Sequence, residues 1–255
     1  MRALLAALTC HKGDIRRNLD EHLVALDTAR HAGCDIAIFP ELSLTGSVDA
    51  IRHPHDAVAL GDPAVAVIVE TTRHIDVAAV FGIAERGADE QLFITQLVAH
   101  DGELVAVHRK RHLGNDEEGY GVGSGTPVVT LAGRTIGMIV CAESSVDDTW
   151  DATVAAGADV IAMCSAPGLY ERRTTDDEWR AGLEWWESAG LADACRHARR
   201  LGVWVAMATQ VGSTVDEDFP GIAALVSPAG EVVDRLPDWR PGTLVVDIPQ
   251  LDATP

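Results

Sequence analysis

The chain has 255 residues, 47% of them hydrophobic, and a formal net charge of −19. That length can bury a large core, while the acidity argues against nucleic acid and anionic membrane surfaces, which require positive footprints. No run approaches the roughly 18 apolar residues of a membrane span, and five widely spaced cysteines without CxxC or CxxH patterns point to neither a disulfide framework nor structural zinc, so a reducing, cytoplasmic setting is expected.

In chain order, "RALLAAL" and "DIAIF" read as short buried strands, and Ile15, Leu19, Leu23, Leu26 and Ala29 recur between them at helical spacing, with Asp14 as N-cap. "PAVAVIVETTRHI" predicts a helix with proline in its first turn, and "VAAVFGIAE" a strand. "LFITQLVAH" and "ELVAVHRK" flank "DG", a hairpin signal, and "PVVTL" and "TIGMIVCAE" flank "AGR" in the same way. The second half repeats the alternation: a helix near Asp147 to Ala156, the strand "VIAMCS", a long helix from about Asp177 to Leu201, the strand "VWVAMATQ" and the hairpin "GIAALVSPAGEVVDRL". Sheets covered by helices, in one α/β layered domain over residues 1–255, are the expected architecture.

Reactive groups cluster where strands are predicted to end. "DIAIFPELSLTG" delivers Glu41, "LVAVHRKRHLG" delivers Lys110, one of only two lysines, and "GMIVCAESS" delivers Cys141. A thiol becomes a nucleophile when a base takes its proton or a nearby ammonium favours the thiolate. Glu41 can be that base, and Lys110 can hold the negative oxygen formed when a carbonyl or nitrile is attacked. The loop "GNDEEGYGVGSG" lacks the lysine-serine ending of a phosphate loop and opens no helix, so it reads as a flexible rim. His112, two residues past Lys110 on the same side of an extended segment, and Cys164, at a strand end, are candidates for the surroundings of the site. "HPH" at His53 to His55 has only Asp56 for company and no HExxH occurs, so no metal site is expected. Trp179, Trp185 and Trp186 span more than one face of their helix, which leaves some exposed unless a partner covers them.

Three segments in this order, "FPELSLTG", "HRKRHLG" and "IGMIVCAES", make the chain resemble the nitrilase, or carbon-nitrogen hydrolase, superfamily, from "RALLAAL" to "GTLVVDI". The resemblance implies a four-layer αββα sandwich of two mixed sheets and a Glu-Lys-Cys triad at Glu41, Lys110 and Cys141. It also implies a second acid at Glu118 in "EEGYG", with Glu117 as the adjacent competitor. Glu41 would take the thiol proton, and Lys110 with the Ala142 NH would hold the oxyanion. No metal or organic cofactor is implied. Members associate sandwich to sandwich, so a homodimer or higher homo-oligomer is expected.

Where relatives carry an aromatic this chain has Ser47, and where they carry asparagine before "QVG" it has Thr209. Ser144 and Ser145 stand where relatives that cleave carbamoyl amino acids have arginine. Arg172 and Arg173 could compensate from another loop, or form a solvated charged face. Glu143 joins the site as an acid beside the nucleophile, and with Asp147 and Asp148 it hints at an amine-bearing substrate. The expected reaction is hydrolysis of a small linear amide. N-carbamoyl-amine or nitrile hydrolysis, acyl transfer to an amine, and a silent amide-binding or assembly subunit are the alternatives.

Overall fold

A computed structural model describes residues 1–169 and 172–250. Two six-stranded mixed sheets pack face to face. The first runs in the order β14 (Gly242–Asp247), β1 (Arg2–Ala7), β2 (Ile36–Ile38), β3 (Ala78–Arg86), β4 (Leu92–His100) and β5 (Glu103–Arg109). The second runs β13 (Val232–Arg235), β12 (Ala224–Val226), β9 (Trp204–Thr209), β8 (Val160–Ser165), β7 (Arg134–Val140) and β6 (Val128–Leu131). Each has a parallel centre, β1-β2-β3 and β7-β8-β9, with antiparallel strands outside it.

Strand periodicity explains the continuous apolar runs. In β1, Ala3, Leu5 and Ala7 enter the core between the sheets, whereas Leu4 and Ala6 enter the core beneath α1 (Ile15–His31) and α2 (Pro63–Ile75). In β8, Val160, Ala162 and Cys164 face the opposite sheet, while Ile161 and Met163 face α3 (Asp147–Ala155), α4 (Asp176–Trp186) and α5 (Ala192–Leu201). Four layers result, helix, sheet, sheet and helix. Cys164, expected at the substrate, is instead fully buried packing between the sheets.

Local chemistry sets the ends. Asp14 caps α1 at the Arg17 NH (3.2 Å), and Asp62 caps α2 at the Ala64 NH (2.8 Å) ahead of Pro63. The two tight hairpins turn on Asp101 and Gly102 (φ 50° and 74°) and on Ala132 and Gly133 (φ 46° and 74°), the left-handed pairs that suit right-twisted strands. The long helix expected over 177–201 is split by a π-helical segment, Glu187–Leu191. A Cβ on Gly190 would overlap the Trp186 ring, so the glycine admits the indole where the helix widens. A short hairpin, β10 (Val211–Ser213) and β11 (Asp218–Pro220), is an addition that the sequence reading lacks. No described helix is long and apolar enough to cross a membrane.

Candidate active site

Glu41 leaves β2 through Phe39 and Pro40 into a turn in which Leu42 has φ 52°. This turn lies directly on β3. A Cβ on Gly82 would overlap the Leu42 nitrogen and come within 2.9 Å of the Glu41 carbonyl carbon, so only glycine permits the approach. The rest of "FPELSLTG" fastens the loop: Ser43 Oγ accepts from the Gly82 NH (3.0 Å), Thr45 Oγ1 from the Ala84 NH (2.9 Å), and His22 Nε2 lies 2.9 Å from Ser43 Oγ. Gln210, fully buried, donates to the Glu41 carbonyl (3.0 Å) and to Ser47 Oγ (3.1 Å).

Lys110 follows β5 and is completely buried. Its ammonium donates to Glu41 Oε1 (2.7 Å) and to Glu117 Oε1. The second oxygen of Glu41 accepts from the Ala166 NH (3.0 Å), and that of Glu117 from the Gly114 NH (2.6 Å). Glu117 thus takes the place expected of Glu118, which is exposed. The reason is the tight turn from Gly114, whose NH fixes the Glu117 carboxylate and directs it inward. His112 is exposed as well and adds nothing to the buried cluster.

Cys141 ends β7 with φ 42°, a left-handed conformation costly for a side-chain-bearing residue, and opens the 3₁₀ turn Cys141–Ser145. Glu143 holds that turn. It is fully buried and accepts from the Val140 NH (2.8 Å), the Arg111 NH (2.8 Å) and His108 Nε2 (3.0 Å). It is therefore an anchor between the cysteine turn and the lysine segment, not a group that meets substrate. Ala142, next to the thiol, is half-buried.

The electrostatics follow from burial. Desolvation raises the Glu41 carboxyl to about 7, although the Lys110 ammonium pulls it down. Burial would lower the Lys110 ammonium, yet the charges of Glu41 and Glu117 and the Glu117 hydrogen bond outweigh it and push it up, so the lysine stays charged. The Cys141 thiol is pushed well above its usual range, by burial first and by the Glu41 charge second, against the opposing pull of Lys110 and the Ala166 NH. The ammonium favours the thiolate, as expected, but burial and the Glu41 charge outweigh it, so the sulfur holds its proton at rest beside a base with an affinity near neutrality.

The carboxylates of Glu41 and Glu117 face a cavity of about 170 Å³ between Leu42, Val48, Ile94, Tyr120 and Phe219. Its outer wall is the β10–β11 hairpin, tied down by Lys12, whose ammonium meets Asp216 and Glu217, each at 2.9 Å. Sequence reading missed this wall, Gly82 and Gln210. Only the glutamine of "QVG" carried a signal. Arg172 pairs with Asp218 (3.1 Å) and the Thr214 carbonyl (3.1 Å), and Arg173 donates to the Leu169 carbonyl (3.4 Å). Neither lines the cavity. Among the described residues, His53, His55 and Asp56 bring potential metal donors within 4.8 Å of one another, on an exposed turn.

The sequence pattern of the carbon-nitrogen hydrolase family matches residues 4–255. An aliphatic nitrilase of Rhodococcus rhodochrous is 29% identical over 51% of this chain and 40% of its own length. A glutamine-dependent NAD(+) synthetase of Rhodobacter capsulatus is 26% identical over 97% of this chain and 43% of its own. The chain thus spans less than half the length of either relative. In three dimensions it superposes, with a TM-score of 0.82 and 25% identity over 98% of this chain and 90% of the other, on a variant of the amidase from Nesterenkonia sp. AN1 that carries the acetamide moiety of fluoroacetamide at its active-site cysteine. With the four-layer architecture and a family match over nearly its whole length, this chain belongs to the carbon-nitrogen hydrolase family.

Proposed function

We propose that the protein hydrolyses the carbon-nitrogen bond of a small linear amide through a thioester on Cys141. The observation that carries this reading is the fully buried Lys110 ammonium, shared between Glu41 and Glu117, beside a cysteine in a left-handed turn. Glu41 takes the thiol proton as the sulfur attacks the amide carbon. Lys110 and the Ala142 NH stabilise the oxyanion. Glu41 then gives the proton to the leaving nitrogen, the carbon-nitrogen bond breaks and ammonia departs. Water, losing a proton to Glu41, attacks the thioester and restores the thiol, so amide plus water becomes carboxylate plus ammonium.

Glu117 acts by holding Lys110 in place and keeping it charged. The covalent adduct in the related amidase supports attack by the cysteine, and the cavity of about 170 Å³ supports a short acyl group. Five free cysteines support a reducing compartment, and Trp185, 46% exposed on α4, supports association with a second copy. The test is ammonia release from butyramide, valeramide and glutamine. Wild type is expected to turn over at least one, and Cys141→Ala to lose at least about a thousandfold. A silent amide-binding subunit would release no ammonia and would bind amides equally well after the substitution.

A further inference from the structure

Resting on the amide-hydrolase reading, we infer that the preferred substrate carries a positive charge at the end of its acyl chain, as in an ω-amino amide. Among the described residues, six carboxylates line the cavity, and Lys12 is the only basic residue in its walls. Glu41 and Glu117 are engaged with Lys110 at the inner end. Towards the outside stand Asp49, Asp116, Asp216 and Glu217. Lys12 is already held between Asp216 and Glu217, so it offers no unpaired cation to an incoming carboxylate. Asp49 turns one oxygen to the backbone of Ile51 and Arg52, and Arg52 approaches its other oxygen only to 3.6 Å. Asp116 is exposed and has no hydrogen bond or ion pair with any described residue.

The arginines that could have reversed this balance are committed elsewhere. Arg111 donates to Thr126 Oγ1 (3.1 Å) and the Thr149 carbonyl (3.4 Å), and Arg172 pairs with Asp218. With Ser144 buried and the Ser145 hydroxyl turned back to the Ala142 carbonyl (3.0 Å), nothing next to the nucleophile receives an anion either. A narrow cavity with low-dielectric walls focuses this field, attracting an ammonium and rejecting a carboxylate at the same place. The apolar stretch of Leu42, Val48, Ile94 and Phe219 suits the methylenes between the reacting amide and that charge.

The test compares kcat/KM across matched series: 4-aminobutyramide, 5-aminovaleramide and 6-aminohexanamide, the neutral butyramide, valeramide and hexanamide, and the anionic monoamide of glutaric acid. At least one amino amide is expected to exceed its neutral counterpart about tenfold or more, with the anionic amide slowest, and the preference is expected to shrink as salt is raised. Asp116→Asn and Asp216→Asn are expected to lower the ratio of cationic to neutral amide severalfold. Because each ratio is taken within one variant, a loss of folded protein cancels. Neutral amides cleaved as well as or better than every amino amide would overturn the inferred substrate class and leave the amide-hydrolase reading standing. No ammonia from any series would overturn both.

Discussion

Glu143→Ala should be among the most damaging single changes in this protein, although its side chain never meets the cavity. The carboxylate is fully buried and satisfies three separate groups: the Val140 NH, the Arg111 NH and the His108 ring. Alanine leaves all three without an acceptor in a region water does not reach. Each buried orphan costs about 1–3 kcal/mol, so the loss from three should be roughly 3–9 kcal/mol, a large part of the 5–15 kcal/mol typical of a domain. For a chain of this size the melting temperature should fall by about 10 °C or more. Glu143→Gln, which keeps one acceptor, should lose about half as much.

The pH dependence has a definite sign. Burial would raise the Glu143 carboxyl, but the His108 contact and the two backbone NH groups outweigh it and lower it. Its contribution is therefore complete above the unfolded value of 4.5 and is lost as pH falls through the lower folded value. The gap between wild type and Glu143→Gln should be widest above about pH 5 and narrow below it. Urea and thermal unfolding monitored by circular dichroism read both effects. A melting shift under about 2 °C, with KM alone changed, would refute the anchoring role and return Glu143 to the substrate.

Activity should respond to the other acids in distinct ways. Because Glu41 titrates at about 7, kcat/KM should fall about tenfold per pH unit below neutrality, measured as initial rates of ammonia release; a flat profile down to pH 5 would contradict its role as base. Glu117→Gln should lower kcat by about 100-fold or more, whereas Glu118→Gln should stay within about twofold, since only Glu117 meets the lysine. Gly82→Ala should cost about 1–3 kcal/mol of stability and displace Glu41, with Gly61→Ala, which has open space around it, as a near-neutral control under chemical denaturation.

Much of this was legible because strong local signals happened to agree with the tertiary outcome. The Asp101–Gly102 turn and the alternation around it specify β4 and β5 without help from the rest of the chain. Strand ends likewise announced Glu41, Lys110 and Cys141, and three motifs in order supplied the family resemblance. What stayed hidden depends on contacts distant in sequence. The β10–β11 hairpin has three-residue strands with little pattern, and it is held by the Leu8 carbonyl, which accepts from the Val211 NH, and by Lys12 about two hundred residues away. Adjacent glutamates cannot be ranked by spacing, since the choice of Glu117 rests on the Gly114 NH. Glu143 looked like site chemistry because it follows the nucleophile, yet a 3₁₀ turn rotates it into the interior. Cys164 misled in the same way, since the pleat of β8 sends its thiol between the sheets.

The most direct test of the account is to intercept the acyl-enzyme. Mixing the protein with an amide it turns over, quenching in acid and measuring intact and peptide masses should reveal one acyl group in place of one hydrogen, carried by the peptide that contains Cys141. Hydroxylamine added before the quench should discharge it as the hydroxamate. Cys141→Ala should show neither species. Ammonia release at an undiminished rate from Cys141→Ala, or an acyl group carried on Cys164 or Cys195, would contradict the mechanism.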